Sequence, residues 1–521
     1  MSAEDFPWLS VLVALPLLGA VLVMVLPRGR GSSDSIKAAA LGVSLLTLVV
    51  SLAMLTQFDV GAAGFQLTEQ HEWIGVFGAY YAVGVDGIGL TLILLTTILT
   101  PVVLLASWRD GDAALAAGRR WSTSAYMGWM LALEGLAIGV FAATDVFLFY
   151  VLFEATLIPV YFLIGSFGGA RSSAAAVKFL LYSLFGGLLM LASVVGLYVV
   201  SARAGEPSYL LSTLNEIPMS ESTGRWLFLG FFIAFAIKAP MWPLHTWLPD
   251  AAAESTPGTA VLLVSVLDKV GTFGMIRFCL QLFPEASEWA SPVIVALAVF
   301  SVIYGALLAI GQDDIRRLIA YTSVSHFGFI VLGIFAFTSQ SATGATLYMF
   351  NHGLSTAALF LVTGFLISRR GSRSISDYGG VQKVAPILAG MLLIAGLSSL
   401  SLPGLSPFVS EFLVLAGTFT TSIPAAVIAT FGIVLAALYI LLMYQRTMTG
   451  PLRPDNAAIT DLRGFEVLAL APLIVFIFVL GFYPQPLLDV IDPSVDATLE
   501  QVGVDDPVPD VPVTVAEESA P

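Results

Sequence analysis

Long apolar segments separated by short polar ones run through almost the whole chain. About fourteen of them reach roughly 20 residues, the length that an α-helix needs to cross the ~30 Å hydrocarbon core of a membrane. They lie at 7–27, 36–56, 85–108, 122–143, 145–166, 173–202, 225–247, 259–283, 291–311, 315–337, 343–368, 386–420, 424–447 and 465–484. The segment 386–420 is too long for one straight span. The pattern therefore predicts an all-α polytopic membrane protein with about 14 transmembrane helices.

The composition supports this class and excludes a stack of soluble domains. The 521 residues are 57% hydrophobic and only 11% charged. The formal net charge is −14, but nine acidic residues fall between Asp489 and Glu518. Because this tail is polar and rich in proline, it is predicted to have no fold of its own. The first apolar segment lacks a basic flank and a cleavage site, so it is interpreted as a retained span.

Lysine and arginine alternate between the two sides of the predicted membrane. Of the 22 basic residues, 17 fall in loops on one side, 2 on the other, and 3 within spans. The first group contains Arg28, Arg119, Arg171, Arg317, Arg370 and Arg453, and the second contains Arg203 and Arg225. Basic loops stay in the cytoplasm, so both termini are predicted on the non-cytoplasmic side.

One predicted span contains a proline beside a lysine. In KAPMWPLHTWLPDA, which starts at Lys238, Pro240 lacks an amide donor and should leave the carbonyl of Ala236 free. We therefore predict a discontinuous helix, broken near 238–243. Lys238 then lies at the carboxyl end of a half-helix, where the helix dipole favours a cation.

A second span is interrupted in the same way. In SLPGLSPFVSEF, Pro403, Gly404 and Pro407 predict a break near 402–408. Glu411 then lies about one turn into the second half-helix, near the end that favours an anion.

The two breaks are separated by four intact spans, which suggests an internal repeat. We predict two inverted five-helix units, 122–283 (spans 4–8) and 291–447 (spans 9–13). The preceding region 1–121 carries the first three spans and their loops, and 448–521 carries the last span and the acidic tail. Inverted repeats with discontinuous helices place ion sites near the middle of the membrane.

Ionisable side chains lie near the middle of six different spans. A charge at this depth costs about 2.5–3.5 kcal/mol on insertion scales, so it is by default a functional hypothesis. The six residues are Glu154, Lys238, Lys269, His326, His352 and Glu411. Together they predict a proton relay in the plane of the membrane.

The two mid-span glutamates of the first unit have alternative interpretations. Glu154 could be a structural carboxylate bonded by threonine or tyrosine hydroxyls. An ion pair is favoured, and Lys238 is its natural partner, because opposite charges at short range offset desolvation. Glu134, also mid-span, is a second-tier candidate that could support this pair or bond across helices.

Lys269 lies halfway along its span, too deep to reach the membrane surface. Asp268 precedes it but points about 100° away around the helix, so the two are not expected to pair. Arg277, two turns later, is interpreted as an interfacial anchor. Asp86 and Asp250, near span ends, are interpreted as caps or loop contacts.

The histidines could be packing residues, proton carriers or metal ligands. His326 and His352 are both mid-span and lie beside serine and threonine hydroxyls that could hold a water chain, which favours proton carriage. Two histidines alone are too few for a closed zinc site, so no metal site is predicted. Cys279 is the only cysteine, which excludes an iron–sulfur cluster held by several cysteines of this chain.

Several motifs together resemble the antiporter-like membrane subunits of respiratory complex I. They are GVDGIGL from Gly84, the segments around Glu154 and Lys238, IRRLIAYTSVSHFGF from Ile315, FNHGLSTAALFL from Phe350 and SLPGLSPFVSEF from Ser401. The likeness covers nearly the whole chain. SISDYGGVQKVAP from Ser374, GFYPQPLLD and the glutamate at 411 resemble the chain M branch, the counterpart of mitochondrial subunit 4.

The resemblance implies a proton-pumping subunit of NADH–quinone oxidoreductase, and the Ala- and Val-rich composition favours a bacterial inner membrane. Matching motifs make Glu154 and Lys238 the controlling pair, Lys269, His326 and His352 the central relay, and Glu411 the terminal site. The resemblance implies no cofactor here, with NADH, FMN, iron–sulfur clusters and quinone on partner subunits. Those partners are membrane-arm subunits, including antiporter-like paralogues on either side, and no nucleic acid is implied.

The sequence also departs from that family's pattern. Ala252 stands where a histidine is common after LPDA, which leaves proton entry open, and Asp268 occupies a usually apolar position. Two alternatives remain: a subunit of a multi-subunit cation/proton antiporter, or of a membrane-bound hydrogenase complex. Antiporter homologues commonly carry lysine where Glu411 stands.

Overall fold

The computed structural model describes residues 6–26, 32–118, 121–504 and 506. Some of the charged residues discussed above lie outside this range, namely Arg28, Arg119, Asp505, Asp510, Glu517 and Glu518. The described chain is a bundle of helices with one small β-hairpin. The first half contains α1 Trp8–Val25, α2 Ser32–Leu55, β1 Gln66–Ile74, β2 Ala79–Val85, α3 Gly87–Ala106, α4 Asp110–Ala116, α5 Thr123–Ala142, α6 Val146–Ala155, α7 Leu157–Phe167, α8 Ser172–Ala204, α9 Leu211–Leu214, α10 Glu221–Lys238, α11 Trp247–Glu254 and α12 Pro257–Val261. The second half contains α13 Lys269–Gly274, α14 Pro284–Ile310, α15 Ile315–Phe335, α16 Ser339–Arg370, α17 Pro386–Ser399, α18 Ser406–Thr421, α19 Ile423–Met448, α20 Gly464–Phe482 and α21 Gln485–Val502.

All fourteen predicted spans contain helices. Among the described residues, 12 helices are long and apolar enough to cross a membrane. The other two predicted spans, 225–247 and 386–420, are the two interrupted helices. The all-α membrane class is confirmed, while the inverted repeat and the domain boundaries stay predictions.

The helices that carry the central candidates are the most enclosed. The apolar windows of Pro257–Leu280 and Ser339–Arg370 are 100% buried inside the protein, and that of Ile315–Phe335 is 94% buried. The window of Ser33–Leu55 is only 28% buried. Polar side chains on the enclosed helices therefore face protein, where they can find partners, rather than lipid.

The first predicted break is confirmed. α10 ends at Lys238, and α11 begins only at Trp247. The Ala236 carbonyl, expected to be free, instead accepts a hydrogen bond from the Met241 amide at 3.1 Å. The indole of Trp247 donates to the carbonyl of Ile237 at 2.9 Å. The interrupted helix therefore satisfies its exposed carbonyls locally, as irregular backbone at membrane depth must.

The second predicted break is also confirmed. α17 ends at Ser399 and α18 begins at Ser406, with Gly404 in the left-handed region at φ +89°. Asn351 of α16 donates its side-chain amide to the carbonyl of Ser406 at 2.8 Å. This contact ties the start of α18 to the buried helix α16 and so fixes the position of Glu411 on α18.

The helix around Lys269 is irregular in a way that the sequence did not predict. Two π-helical stretches, Leu262–Leu267 and Met275–Leu280, flank the short helix α13. The amide of Asp268 bonds the carbonyl of Leu263 at 3.0 Å, five residues back. π-Helical turns are rare and are often found at functional sites.

Two further elements differ from the sequence prediction. The loop before α3 contains the antiparallel hairpin β1–β2, whose Glu69 carboxylate accepts from the amide of Leu9 at 2.9 Å and so caps α1. The tail predicted to have no fold forms α21 up to Val502. This helix is amphipathic: Val490, Ile491, Val495 and Leu499 are buried, while its acidic residues lie mostly on the other face.

The basic loops gather at one end of the bundle. Arg373 bridges Glu254 at 3.2 Å and Asp314 at 3.3 Å, joining three loops, and Arg370 pairs with Asp455 at 3.1 Å. These contacts bring the described loops around Asp314, Arg373 and Asp455 together, while the predicted orientation of the termini stays a prediction. We call this end the basic face.

Arg277 is not the interfacial anchor that was predicted. Its side chain is 3% exposed, and its guanidinium pairs with the carboxylate of Asp86 at 2.6 Å. Asp86 also caps α3 by accepting from the amide of Gly89 at 2.9 Å, as predicted for a residue at a span end. The apolar neighbours Phe65 and Phe273 cover the guanidinium. The sequence could not predict this pair because its members are far apart along the chain.

Breaking this buried pair should destabilise the protein. R277M leaves the Asp86 carboxylate without its cation, and we expect a loss of about 3–5 kcal/mol. The double variant D86N/R277M should recover most of the lost stability, because no unpaired carboxylate remains and asparagine still caps the helix. The measurement is thermal aggregation of the detergent-extracted protein. R225M, which removes an exposed pair with Glu221, is the control and should change little; equal effects of R277M and R225M would contradict the account.

Candidate functional site

Glu154 lies on α6 with its carboxylate against the backbone of α8. The carboxylate occupies the place where a side chain at Gly187 would be: a Cβ built there would come 1.8 Å from Oε1. Glu154 is half-buried, and Oε1 has no hydrogen-bond partner among the described residues. The glycine thus makes room for the carboxylate between two helices. None of the hydroxyl partners of the alternative interpretation is present in the described structure.

Lys238 lies at the end of α10, where the dipole favours its charge. Its side chain is 1% exposed, and its ammonium is stacked on the rings of Phe153 at 4.7 Å and Phe179 at 5.7 Å. Neither the Lys238 ammonium nor Glu154 Oε1 has a hydrogen-bond partner among the described residues. The two side chains therefore do not form the direct ion pair that was predicted.

Two further carboxylates are buried nearby. Glu134 of α5 is 1% exposed, and neither of its carboxylate oxygens has a hydrogen-bond partner among the described residues. Asp268, the first residue before α13, is 0% exposed, and neither of its carboxylate oxygens has a hydrogen-bond partner among the described residues. The prediction that Asp268 does not pair with Lys269 agrees with the absence of an ion pair between them within the described chain.

Lys269 and His352 form a direct contact in the centre of the bundle. The Lys269 ammonium lies 2.7 Å from His352 Nδ1 and donates to the carbonyl of Val264 at 2.7 Å. The ring of Phe327 lies below it at 5.0 Å. Lys269 is 0% exposed and His352 2% exposed. The π-helical stretch before Lys269 supplies the carbonyl that holds the ammonium toward the histidine.

The second half of the site runs from His326 to Glu411. The imidazole of His326 lies beside that of His352, with ring centroids 5.3 Å apart. His326 Nδ1 lies 2.6 Å from the hydroxyl of Tyr348, which in turn lies 3.5 Å from Glu411 Oε2. Glu411 is 3% exposed. The last distance is long for a hydrogen bond, but the hydroxyl links the histidine and the carboxylate.

The structure gives an order for the groups of the predicted relay. His352, not His326, contacts Lys269, and His326 lies between His352 and Glu411. Tyr348 was missed by the sequence analysis. A usable signal existed, because Tyr348 precedes His352 by four residues on one helix and so shares its face.

A cavity of about 390 Å³ opens at the basic face. Arg109, Arg316 and Asp110 contribute to its lining. Burial raises the pKa of Asp110 to about 6, against the opposing charge of Arg316. The hydroxyl of Tyr126 joins Asp110, at 3.4 Å, to Thr256, at 2.7 Å. Polar groups thus lead from this cavity toward α12.

At the same face, Asp250 behaves as the span-end residue that was predicted. It accepts from Lys178 at 2.7 Å and Arg317 at 2.5 Å. These contacts lower its pKa despite partial burial, which acts in the other direction. Asp250 therefore ties α8, α11 and α15 together.

A line of buried ionisable groups beside interrupted helices is typical of ion-translocating membrane proteins. The family model for the NADH:quinone oxidoreductase/Mrp antiporter transmembrane region matches residues 143–436. The chain therefore belongs to this family, and the resemblance stated from its motifs is confirmed.

Two relatives with the same name indicate the branch of the family that this chain resembles. A protein of Mycobacterium tuberculosis called NADH-quinone oxidoreductase subunit M is 54% identical, over 98% of this chain and 97% of that protein. A protein of Rhodobacter capsulatus with the same name is 38% identical, over 94% and 95%.

Solved structures share the fold. One chain in a structure of respiratory complex I from Thermus thermophilus, with bound NADH, superposes with a TM-score of 0.86 at 31% identity, covering 95% of this chain and 100% of that one. A chain of the Mrp complex from Dietzia reaches a TM-score of 0.83 at 20% identity, covering 96% and 100%. This second likeness shows the fold alone.

The contact between His326 and Tyr348 can be tested directly. Y348F removes the hydroxyl without changing the ring, so the nitrogen-15 resonances of His326 should shift in labelled protein. The chain has only four histidines, and those of His71 and His245 should stay unchanged. Y439F removes a buried hydroxyl that has no partner among the described residues and is the matched control. An unshifted His326 in Y348F would show that the hydrogen bond is absent.

Proposed function

We propose that this chain is the proton-translocating M-type subunit of an NADH–quinone oxidoreductase. The observation that carries the proposal is the connected set Lys269, His352, His326, Tyr348 and Glu411, buried at the centre of the bundle. Membership of the family and 54% identity to a named subunit M support the same function.

Proton transfer in the first half follows from hydrogen-bond chemistry. While Lys269 is an ammonium, its N–H donates to His352 Nδ1, so the proton of neutral His352 lies on Nε2. Transfer of the proton leaves a neutral lysine amine and an imidazolium. His326 is the adjacent acceptor, with its ring 5.3 Å away.

The second half uses a hydroxyl as a bridge. The Tyr348 hydroxyl has one proton and can donate either to His326 or to Glu411. When His326 Nδ1 carries a proton and donates to the Tyr348 oxygen, the hydroxyl proton points toward the Glu411 carboxylate. A concerted shift protonates Glu411 and returns His326 to its neutral form. Each proton moved against the membrane potential needs about 2.3 kcal/mol per 100 mV.

The pair of Glu154 and Lys238 controls this relay by its field. Because the two side chains are not in direct contact, a charge change in a neighbouring subunit can alter their separation at little steric cost. The coupling is reciprocal, so a proton moving on the relay also acts back on the pair. Glu134 is a supporting member of this group.

The chain's part in the oxidoreductase is translocation without redox chemistry. NADH, FMN, iron–sulfur clusters and quinone belong to partner subunits, and antiporter-like paralogues flank this chain in the membrane arm. The protein lies in the bacterial inner membrane with both termini outside the cytoplasm. Protons enter from the basic face, where the cavity at Asp110 and the hydroxyls of Tyr126 and Thr256 offer a route that does not need a histidine at Ala252.

Two variants of Lys269 test the proposed proton translocation. K269M removes the ammonium, and K269R keeps a charge that cannot be lost at physiological pH. Both should lower NADH-driven proton translocation by about tenfold or more, since removing a proton-transferring group costs roughly 10²–10⁴-fold.

The measurement is proton uptake by inverted membrane vesicles, with assembly checked by NADH oxidation with an artificial acceptor. K383M, which removes an exposed lysine, is the control. Parental proton translocation in assembled K269M and K269R would reject the relay. Sodium-coupled exchange without NADH oxidation would support the antiporter alternative instead.

A further inference from the structure

Asp268 is a buried carboxylate without the partners that a structural carboxylate has. It is 0% exposed, and both oxygens lack a hydrogen-bond partner among the described residues. Most buried polar side chains are hydrogen-bonded, and an unpaired buried charge is costly. Packing alone therefore gives no reason for an aspartate at this position.

The helix contact around Asp268 brings it toward Lys238. Gly271 packs on the end of α10: a Cβ there would come 2.5 Å from the amide of Ala239 and 2.6 Å from the carbonyl of Phe235. Asp268 precedes Gly271 by three residues and so shares the helix face that meets α10. α10 ends at Lys238, so this face of the Asp268 segment packs on the helix end that carries the Lys238 ammonium.

Asp268 is also the residue directly before Lys269 of the central relay. Neither lysine forms a direct contact with the Asp268 carboxylate among the described residues. Ser265, three residues earlier, is buried with a hydroxyl that has no partner among the described residues, and the Lys238 ammonium has none either. A water molecule that reached these atoms would have the two to four polar partners that a bridging water needs.

We propose that Asp268 carries protons between Lys238 and Lys269, through bridging water, and so joins the controlling pair to the central relay. The inference rests on the proposed function. A proton leaves the Lys238 ammonium, which becomes a neutral amine, and the Asp268 carboxylate takes it and becomes a neutral acid. That acid then protonates the Lys269 amine left by transfer to His352. The carboxylate is restored, one proton has moved, and no other reactant is consumed.

The test compares three variants in the assembled oxidoreductase. D268N keeps the shape but cannot carry the proton, D268E keeps the carboxyl group, and D496N makes the same chemical change at an exposed residue of α21. We expect D268N to lower NADH-driven proton translocation roughly tenfold. D268E should restore most of it, and D496N should match the parent. A D268E loss as large as that of D268N would overturn the inference.

The K269M variant distinguishes failure of the Asp268 proposal from failure of the proposed function. Parental translocation in D268N together with a loss in K269M overturns the role of Asp268 alone. Parental translocation in both rejects the relay itself.

Infrared difference spectra during turnover detect protonation of a carboxylate. If Asp268 had only a structural role, its carboxylate would not be protonated during turnover. A carboxylic acid C=O band should appear in the parent, shift in frequency in D268E and vanish in D268N. If D268N does not assemble, D268E decides the question: an unshifted band overturns the inference.

Discussion

The cost of placing charge inside a membrane governs this structure. A buried ionisable group is stabilised only by partners within the protein, since lipid offers none. The enclosed helices α13, α15 and α16 supply them for Lys269, His326 and His352. Where a regular helix cannot do so, it is interrupted: α10 stops at Lys238, α17 stops before Glu411, and π-helical stretches flank Lys269. The irregular backbone is therefore found where buried charged side chains need partners.

The proposed relay consists of a part whose members are in contact and a part whose members are not. From Lys269 to Glu411, neighbouring groups touch or nearly touch through His352, His326 and Tyr348. Between Glu154, Lys238 and Lys269 no direct contact is present among the described residues. This division fits the proposal that the charges of Glu154 and Lys238 control proton movement from Lys269 to Glu411. In the further proposal, Asp268 joins these two parts.

The apolar pattern was sufficient to predict the spans, and proline positions were sufficient to predict both breaks, because these depend on local sequence. The six mid-span candidates were recognisable from depth alone. Contacts between distant helices could not be predicted from the sequence, because they depend on packing. They include the order of His352 and His326, the Asp86–Arg277 pair and the bridging position of Tyr348. The helix α21 was missed because its polar, proline-containing sequence buries only a narrow apolar stripe.

The central claim is that these groups form one hydrated path across the bundle. A structure of the assembled oxidoreductase at a resolution that shows ordered water tests it most directly. The account predicts water molecules that bridge Glu154 to Lys238 and Lys238 through Asp268 to Lys269. Gaps filled by apolar side chains, with no water bonded to the Asp268 carboxylate, would contradict it.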